Sequence, residues 1–312
     1  MILVGDIGGT RTRFALAERQ GSDWRFSRLE DQPTMTGVAT AVTTYLQEAG
    51  VPGLEAAAFC GAGPLAPDGR IRLTNADVLL DPAALARAAG VERATLINDF
   101  AAVAHGIPRM PAAAFLPCGG GTAAPDAARV VLGPGTGLGI ATLAPAGAGW
   151  IVIPGEAHAD LAPVDDEELD AWKRLRQAHG RVSLETVLCG PGLVRLHAVL
   201  ARNPAASAAE IAEAAWRGEA DAVRVVALFT RWLGRVAGNM ALTGGARGGV
   251  YLAGGILPAW SSRFDTQSFR QGFEDKAPLA DWLRRVPGFL VQYPQPGLFG
   301  LAVIAAGESD GG

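Results

Sequence analysis

Two acids and two glycine clusters are the parts of this sequence best suited to chemistry. Asp6 ends the apolar run Ile2–Asp6 and stands just before Gly8-Gly9-Thr10. Glycines in a tight turn let another group approach the backbone closely. An acid beside exposed backbone N–H groups suits a polyphosphate carried with Mg²⁺: the amides take phosphate oxygens, and the acid holds the metal or its waters. In the run that follows, Arg11 to Leu16, the residues Thr12, Phe14 and Leu16 alternate with Arg11, Arg13 and Ala15, the period of a half-buried strand. Strand, glycine turn and strand make a β-hairpin. An ordinary hairpin with an Asp at its corner would read the same way. The design recurs at Arg129 to Leu143, RVVLGPGTGLGIATL, where Gly133, Gly135, Thr136, Gly137 and Gly139 populate the turn. Two such units suggest related halves whose turns face one ligand.

Asn98 and Asp99 stand at the carboxyl end of a strand, Ala94 to Ile97, where ligands bind in open α/β folds. Asp99 could take a proton from an alcohol while Asn98 holds a neighbouring hydroxyl; both residue types also cap helices well. Glu156 and His158 follow a strand and two turn residues, and their mixed donors and acceptors suit a polyol. Glu185 falls in the first turn of a helix after Ser183, where an acid is also favoured by the helix dipole. Gly254-Gly255 ends another strand and could pass close under a nucleotide base or form a tight turn.

The spacings exclude several chemistries. A P-loop needs Lys after its glycines, and the chain's lysines are Lys173 and Lys276. A dinucleotide fingerprint needs a helix after its glycines, whereas strand-like residues follow here both times. No HExxH, paired-cysteine or GxSxG pattern occurs.

Other elements must position these residues. Helices are expected at Val38–Ala49, Asp81–Gly90, Phe100–His105, Asp165–His179, Asp221–Leu242 and from Pro296 onward. Strands are expected at Ala56–Cys60, Ile71–Leu73, Trp150–Ile153, Gly249–Ala253 and Leu290–Tyr293. Ser207 to Glu210 reads as a capping box. Alternating strands and helices in both halves predict an α/β chain, with a domain junction near Pro108.

The 312 residues suffice for two domains, and 49% hydrophobic with 19% charged residues describes a globular protein. With a formal net charge of −4 and no basic run, nucleic acid is not an expected partner. Cys60, Cys118 and Cys189 have no paired spacing, which fits a reducing cytosol. Neither a signal peptide nor a membrane-crossing run is expected.

Taken together these stretches resemble the bacterial glucokinase family, of the hexokinase type within the actin-like ATPase fold. The resemblance rests on VGDIGGTRTRFAL, LTN (Leu73–Asn75), INDFAAVAHGIP, GPGTGLGIA, PGEAHADLAP, SLETVLCGPGL, GGVYLAGGILP, FEDKAPL and PGLFGLA, in that order along nearly the whole chain. It implies a two-domain actin-like (ribonuclease H-like) fold, with residues 1–108 and 297–312 in a small domain, 109–296 in a large one, and the site in the cleft between them. It further implies ATP-dependent phosphorylation of the glucose 6-hydroxyl, with Mg²⁺, by a cytoplasmic homodimer that enters glucose into glycolysis. Asp99 would be the general base. Asn98, Glu156, His158 and Glu185 would hold the sugar. Asp6, Gly8, Gly9, Thr10, Arg11, Gly133, Gly135, Thr136 and Gly137 would embrace the phosphates, Asp6 holding Mg²⁺ through water, with Gly254 and Gly255 near the adenine. A kinase for another hexose or for glucosamine, or a sugar-binding regulator that has lost catalysis, would share much of this pattern. The sequence departs from the family at Arg11, which is usually Asn, and at Val78, often Trp. Gly155-Glu156-Ala157-His158 is one residue shorter than the family's loop. The zinc-binding cysteine cluster of the related ROK kinases and repressors is absent.

Overall fold

The computed structural model of the chain describes residues 1–307, apart from 22, 35–36, 52, 75 and 202–206. Asn75, the last residue of the Leu73–Asn75 motif, lies outside the described residues, as do 308–312. By its contacts the chain divides into two compact units. One holds Met1–Ala114, Leu143–Pro154 and the segment from Tyr293 onward; the other holds Phe115–Thr142 and Gly155–Gln292.

The first unit is built on β1 (Ile2–Ile7), β2 (Arg11–Gln20), β3 (Asp23–Pro33), α1 (Val38–Ala49), β4 (Ala56–Gly61), the short pair β5 (Ile71–Arg72) and β6 (Leu79–Leu80), α2 (Pro82–Ala89), β7 (Ala94–Asn98) and α3 (Asp99–Gly106). Its sheet runs β3-β2-β1-β4-β7. β1 pairs antiparallel with β2 and parallel with β4, and β4 runs parallel to β7. The alternation read from β2 holds over Arg11–Phe14, with Thr12 and Phe14 buried and Arg11 exposed, and ends at Ala15, which is buried together with Leu16. β3 was not expected. It is mostly exposed and rich in charge, so its strand form comes from pairing with β2, across a bulge between Phe14 and Leu16. Leu3, Ile7, Phe14, Val42, Phe59 and Leu85 form the core of this unit. Asp81 caps α2 through two backbone amides, with Pro82 at its first position and Gly90 left-handed at its end.

The remaining elements are β8 (Phe115–Pro117), β9 (Arg129–Pro134), β10 (Leu138–Ala146), β11 (Gly149–Gly155), α4 (Asp166–His179), α5 (Leu184–Val187), α6 (Gly190–Leu200), α7 (Ala208–Trp216), α8 (Ala220–Gly244), β12 (Val250–Leu252), α9 (Leu257–Trp260), α10 (Thr266–Glu274), α11 (Ala280–Arg284), β13 (Gly288–Val291) and α12 (Pro296–Ala305). The second sheet runs β11-β10-β9-β12-β13-β8. Both sheets are open and mixed, with parallel strands at their centres. The sequence reading did not contain β8, α6 or α9 to α11. Of these, β8, α9 and α11 span only 3, 4 and 5 residues, too few to show a period.

The long helix α8 carries the core of the second unit through Phe229, Trp232 and Leu233, against Phe269 and Phe273 of α10. The two helix backbones come close because Gly234, Gly238 and Gly272 face carbonyls of the partner helix, where a Cβ would clash. An ion-pair network ties α4 to α8: fully buried Glu168 accepts from Arg235 at 2.6 Å and from Arg231 at 3.2 Å. Arg235 also donates to Asp275 at 2.6 Å.

Candidate active site

Two groups of the expected residues emerge, one in each unit. In the first, the parallel ladder sets Asp6 level with Cys60 and Cys60 level with Ile97, with Asn98 and Asp99 next along the chain. Asp6 and the Asn98-Asp99 pair therefore sit at the carboxyl ends of strands separated by one other strand, roughly 10 Å apart at the backbone.

The turn between β1 and β2 is Gly8-Gly9-Thr10, closed by the Gly8 N–H donating to the Arg11 carbonyl at 2.9 Å. Thr34, just past β3, secures it. Its hydroxyl donates to the Gly8 carbonyl at 2.7 Å and lies 3.0 Å from the Thr12 hydroxyl. Its backbone N–H donates to the Thr10 carbonyl at 3.0 Å. Sequence reasoning missed Thr34; it lies more than twenty residues from the turn, and no local pattern marks it. Arg11 is drawn to β3, where its Nε donates to Asp31 at 2.6 Å and a second nitrogen donates to the Asp31 carbonyl at 3.0 Å. Arg11, whose hydrogen bond is the largest influence, and Arg13 hold the Asp31 carboxyl below the usual carboxylate range.

The Asp6 carboxylate accepts from the Cys60 thiol at 3.4 Å and lies 3.8 Å from Arg13. The first turn of α12 passes beside it: a Cβ at Gly297 would stand 3.9 Å from its Oδ2. Burial pushes its pKa up, with the Cys60 bond and Arg13 opposing. The side chain still keeps 28% of its surface, so the carboxylate is desolvated but reachable. Burial, reinforced by Asp6, lifts the Cys60 thiol well above its usual range, so it acts as a neutral donor.

Asn98 and Asp99 divide their work. Asn98 is the N-cap of α3: its Oδ1 accepts from the Phe100 and Ala101 amides at 2.9 and 3.1 Å, and its Nδ2 donates to the Gly63 carbonyl at 3.1 Å. Asp99 is the first residue of the helix, and its Oδ1 also accepts from the Phe100 amide at 2.9 Å.

In the second group, β9 and β10 extend further than expected, leaving Gly135-Thr136-Gly137 as the turn. Gly133 lies within β9. The Gly135 N–H donates to the Gly137 carbonyl, and the Gly190 N–H donates to the Gly135 carbonyl, both at 2.8 Å. Thr136 is exposed at the tip. Gly254-Gly255 follows β12 and lies against this hairpin. Gly254 has φ +85°, and a Cβ there would stand 2.5 Å from the Pro134 carbonyl oxygen. Glycine is required on both counts.

Glu185 joins the turn directly, its Oε2 accepting from the Leu138 N–H at 2.9 Å. It occupies the first turn of α5, which Ser183 and Thr186 close as a capping box. Its own N–H donates to the Ala157 carbonyl at 3.0 Å, and the Leu184 N–H donates to the Ala159 carbonyl at 2.9 Å. The loop bearing Glu156 and His158 is thereby fastened to Glu185. Ala157 is buried between them, while Glu156 and His158 are exposed. Among the described residues no cluster of three or more His, Cys, Asp or Glu side chains is placed to hold a metal ion.

Such a pair of glycine hairpins, with acids at the strand ends, has close relatives. The family model described as glucokinase matches residues 3–308. A glucokinase from Sinorhizobium medicae is 39% identical over all of this chain and 94% of its own. Among solved structures, a glucokinase from an Antarctic psychrotroph superposes with a TM-score of 0.86 at 31% identity, covering 98% of both chains. A Balamuthia mandrillaris glucokinase in complex with glucose gives a TM-score of 0.85 at 25% identity, covering 98% of this chain and 93% of its own. The pattern extends across both units, and the chain belongs to the glucokinase family.

Proposed function

We propose that this chain transfers the terminal phosphoryl group of ATP to the 6-hydroxyl of glucose. The family match across residues 3–308 carries the reading, and a relative of similar fold was solved with glucose bound. The finer fold assignment belongs to the same proposal: an actin-like ATPase of the hexokinase type.

Asp99 accepts the proton of the 6-hydroxyl as the bond to phosphorus forms, because an alcohol needs a carboxylate within hydrogen-bond reach. The α3 cap comes from Asn98, so that role does not compete with the helix start. The Asn98 amide has a second N–H beyond the one given to Gly63, available for a sugar hydroxyl. Glu156, His158 and Glu185 hold the other hydroxyls. The Gly8–Arg11 and Gly133–Gly137 turns take the phosphates, and Gly254-Gly255 passes under the adenine.

The residues present fit Mg²⁺ arriving with the nucleotide. Asp6 offers a desolvated, reachable carboxylate, and that ion keeps several waters and takes phosphate oxygens rather than needing a full protein cage. When bound, it would neutralise charge on the phosphates. Phosphoryl transfer then rests mainly on positioning and electrostatics. On the same reading the enzyme is a cytosolic homodimer. No described helix is long and apolar enough to cross a membrane.

A coupled ADP-release assay across glucose, galactose, fructose, mannose and glucosamine tests the proposal. Glucose is expected to give the highest kcat/KM, since a site built to bond hydroxyls rejects an analogue that misplaces one. Equal values for glucose and galactose would refute this selectivity, and no turnover with any sugar would refute the kinase reading. The shortened Glu156–His158 loop favours, as the second reading, a kinase whose best substrate is another hexose.

A further inference from the structure

The second glycine turn makes a contact that nucleotide binding alone does not call for. We infer that this turn also sets the sugar site, by holding the Glu185 carboxylate in place. The inference rests on the proposed sugar-binding role of Glu185 and extends it to Gly137 and Leu138 as positioning residues.

The geometry is specific. The Leu138 N–H, the first amide after the turn, donates to Glu185 Oε2 at 2.9 Å. A hydrogen bond to a charged acceptor is among the stronger ones in a protein. Gly137 leaves the room for it: a Cβ there would stand 2.6 Å from Glu185 Oε2 and 3.3 Å from its Cδ. Glu185 is fastened to the Glu156–His158 loop by its own N–H to Ala157. The carboxylate therefore stands between the turn expected to take phosphates and the loop expected to take sugar. A shift of the turn moves a sugar ligand, and a sugar pulling on Glu185 reaches the Leu138 amide.

Gly137→Ala separates this idea from a purely nucleotide-binding turn. The atoms its methyl group meets belong to the end of a flexible side chain, so the carboxylate gives way and the backbone is kept. Gly244→Ala is the control: it lies at the end of α8, outside the proposed site, and a Cβ there meets Thr142 Cγ2 at 3.9 Å and nothing of Glu185. Glucose affinity is measured by calorimetry without nucleotide, with thermal melts as the check on folding. Gly137→Ala is expected to weaken glucose binding on the order of tenfold, as loss of a charge-assisted bond does, while Gly244→Ala stays within about twofold of wild type. In the ¹⁵N-labelled wild-type protein, glucose alone is expected to shift the Leu138 amide resonance. Wild-type protein that binds glucose with an unmoved Leu138 resonance, or a folded Gly137→Ala protein with unchanged glucose affinity, overturns the inference and leaves the kinase reading standing. Wild-type protein that binds no glucose overturns both.

Discussion

Asp99→Asn tests the proposed chemistry most directly, because the cap of α3 falls to the neighbouring Asn98. The N-cap of α3 is Asn98, whose Oδ1 takes the Phe100 and Ala101 amides at 2.9 and 3.1 Å. Asp99 also accepts from the Phe100 amide at 2.9 Å, a bond that an asparagine oxygen can take over. At the helix start the substitution removes one negative charge from the first turn, worth about 0.3–1 kcal/mol. For a chain of 312 residues that is a melting shift of about 0.5–1.5 °C. The chemical loss is larger. Asn cannot accept the hydroxyl proton, and losing a general base costs on the order of 10²–10⁴-fold in rate, about 3–5 kcal/mol of barrier. The drop should fall on kcat, with KM for glucose nearly unchanged, because the proton moves only in the transition state. Steady-state kinetics with a coupled assay, glucose calorimetry and a thermal melt read all three. A folded Asp99→Asn protein with near wild-type kcat would refute the assignment of the base. Asn98→Ala should instead cost stability, about 0.5–2 kcal/mol for the cap alone with the Gly63 bond lost as well, and should raise KM for glucose through loss of the proposed hydroxyl contact.

Thr34→Val should raise KM for ATP roughly 2- to 10-fold through loss of the bonds to Gly8 and Thr12, with glucose affinity intact and Thr34→Ser near wild type. An unchanged KM for ATP in the valine variant would remove the clamp. Arg235→Leu leaves fully buried Glu168 with Arg231 at 3.2 Å as its remaining guanidinium, and should cost about 3 kcal/mol in a denaturant titration. A loss under about 1 kcal/mol would show that Arg231 suffices. The Arg224 hydrogen bond, then Arg231, holds the Glu167 carboxyl below its ordinary value of 4.5. The ionised form is therefore the stabilising one: its contribution is full above about pH 4.5 and fades as pH falls through the lowered folded value. Glu167→Gln should then lose less than about 1 kcal/mol at pH 7, and the gap to wild type should close on acidification. A gap that grows as pH falls would reverse the sign of that linkage.

The hairpins were legible because glycine placement and side-chain alternation are local signals. Asn98 was legible as a cap for the same reason: Asn before a helix offers its oxygen to amides two and three residues on. What stayed hidden acts across distance in the chain. Nothing near Leu138 marks Glu185, forty-seven residues away, as the acceptor of its amide. Nothing near Gly8 marks Thr34. β3 escaped notice because most of its side chains face water, so hydrophobic period, the main strand signal, is weak there. Yet β3 delivers Asp31, and the residue just past it is Thr34, so an element nearly silent in the sequence shapes the turn that the sequence displays best.

That strand also explains how the family pattern tolerates Arg11. An arginine beside the Asp6 corner could neutralise the acid that the proposed chemistry needs for Mg²⁺. The structure prevents this with a competing acid. Asp31 takes Arg11 at 2.6 Å and the Nε of Arg13 at 3.2 Å, while Arg13 reaches Asp6 only at 3.8 Å. Two guanidiniums share Asp31 and hold its pKa down. Asp6 keeps the weaker contact, and burial holds its pKa up. The two aspartates thus sit on opposite sides of their ordinary range: burial raises Asp6, and the bonds from Arg11 and Arg13 lower Asp31. A carboxylate that is desolvated, loosely paired and still open to a ligand gains more from a divalent cation than one already bonded to two arginines. On the proposed reading, Asp31 is what leaves Asp6 available to the metal.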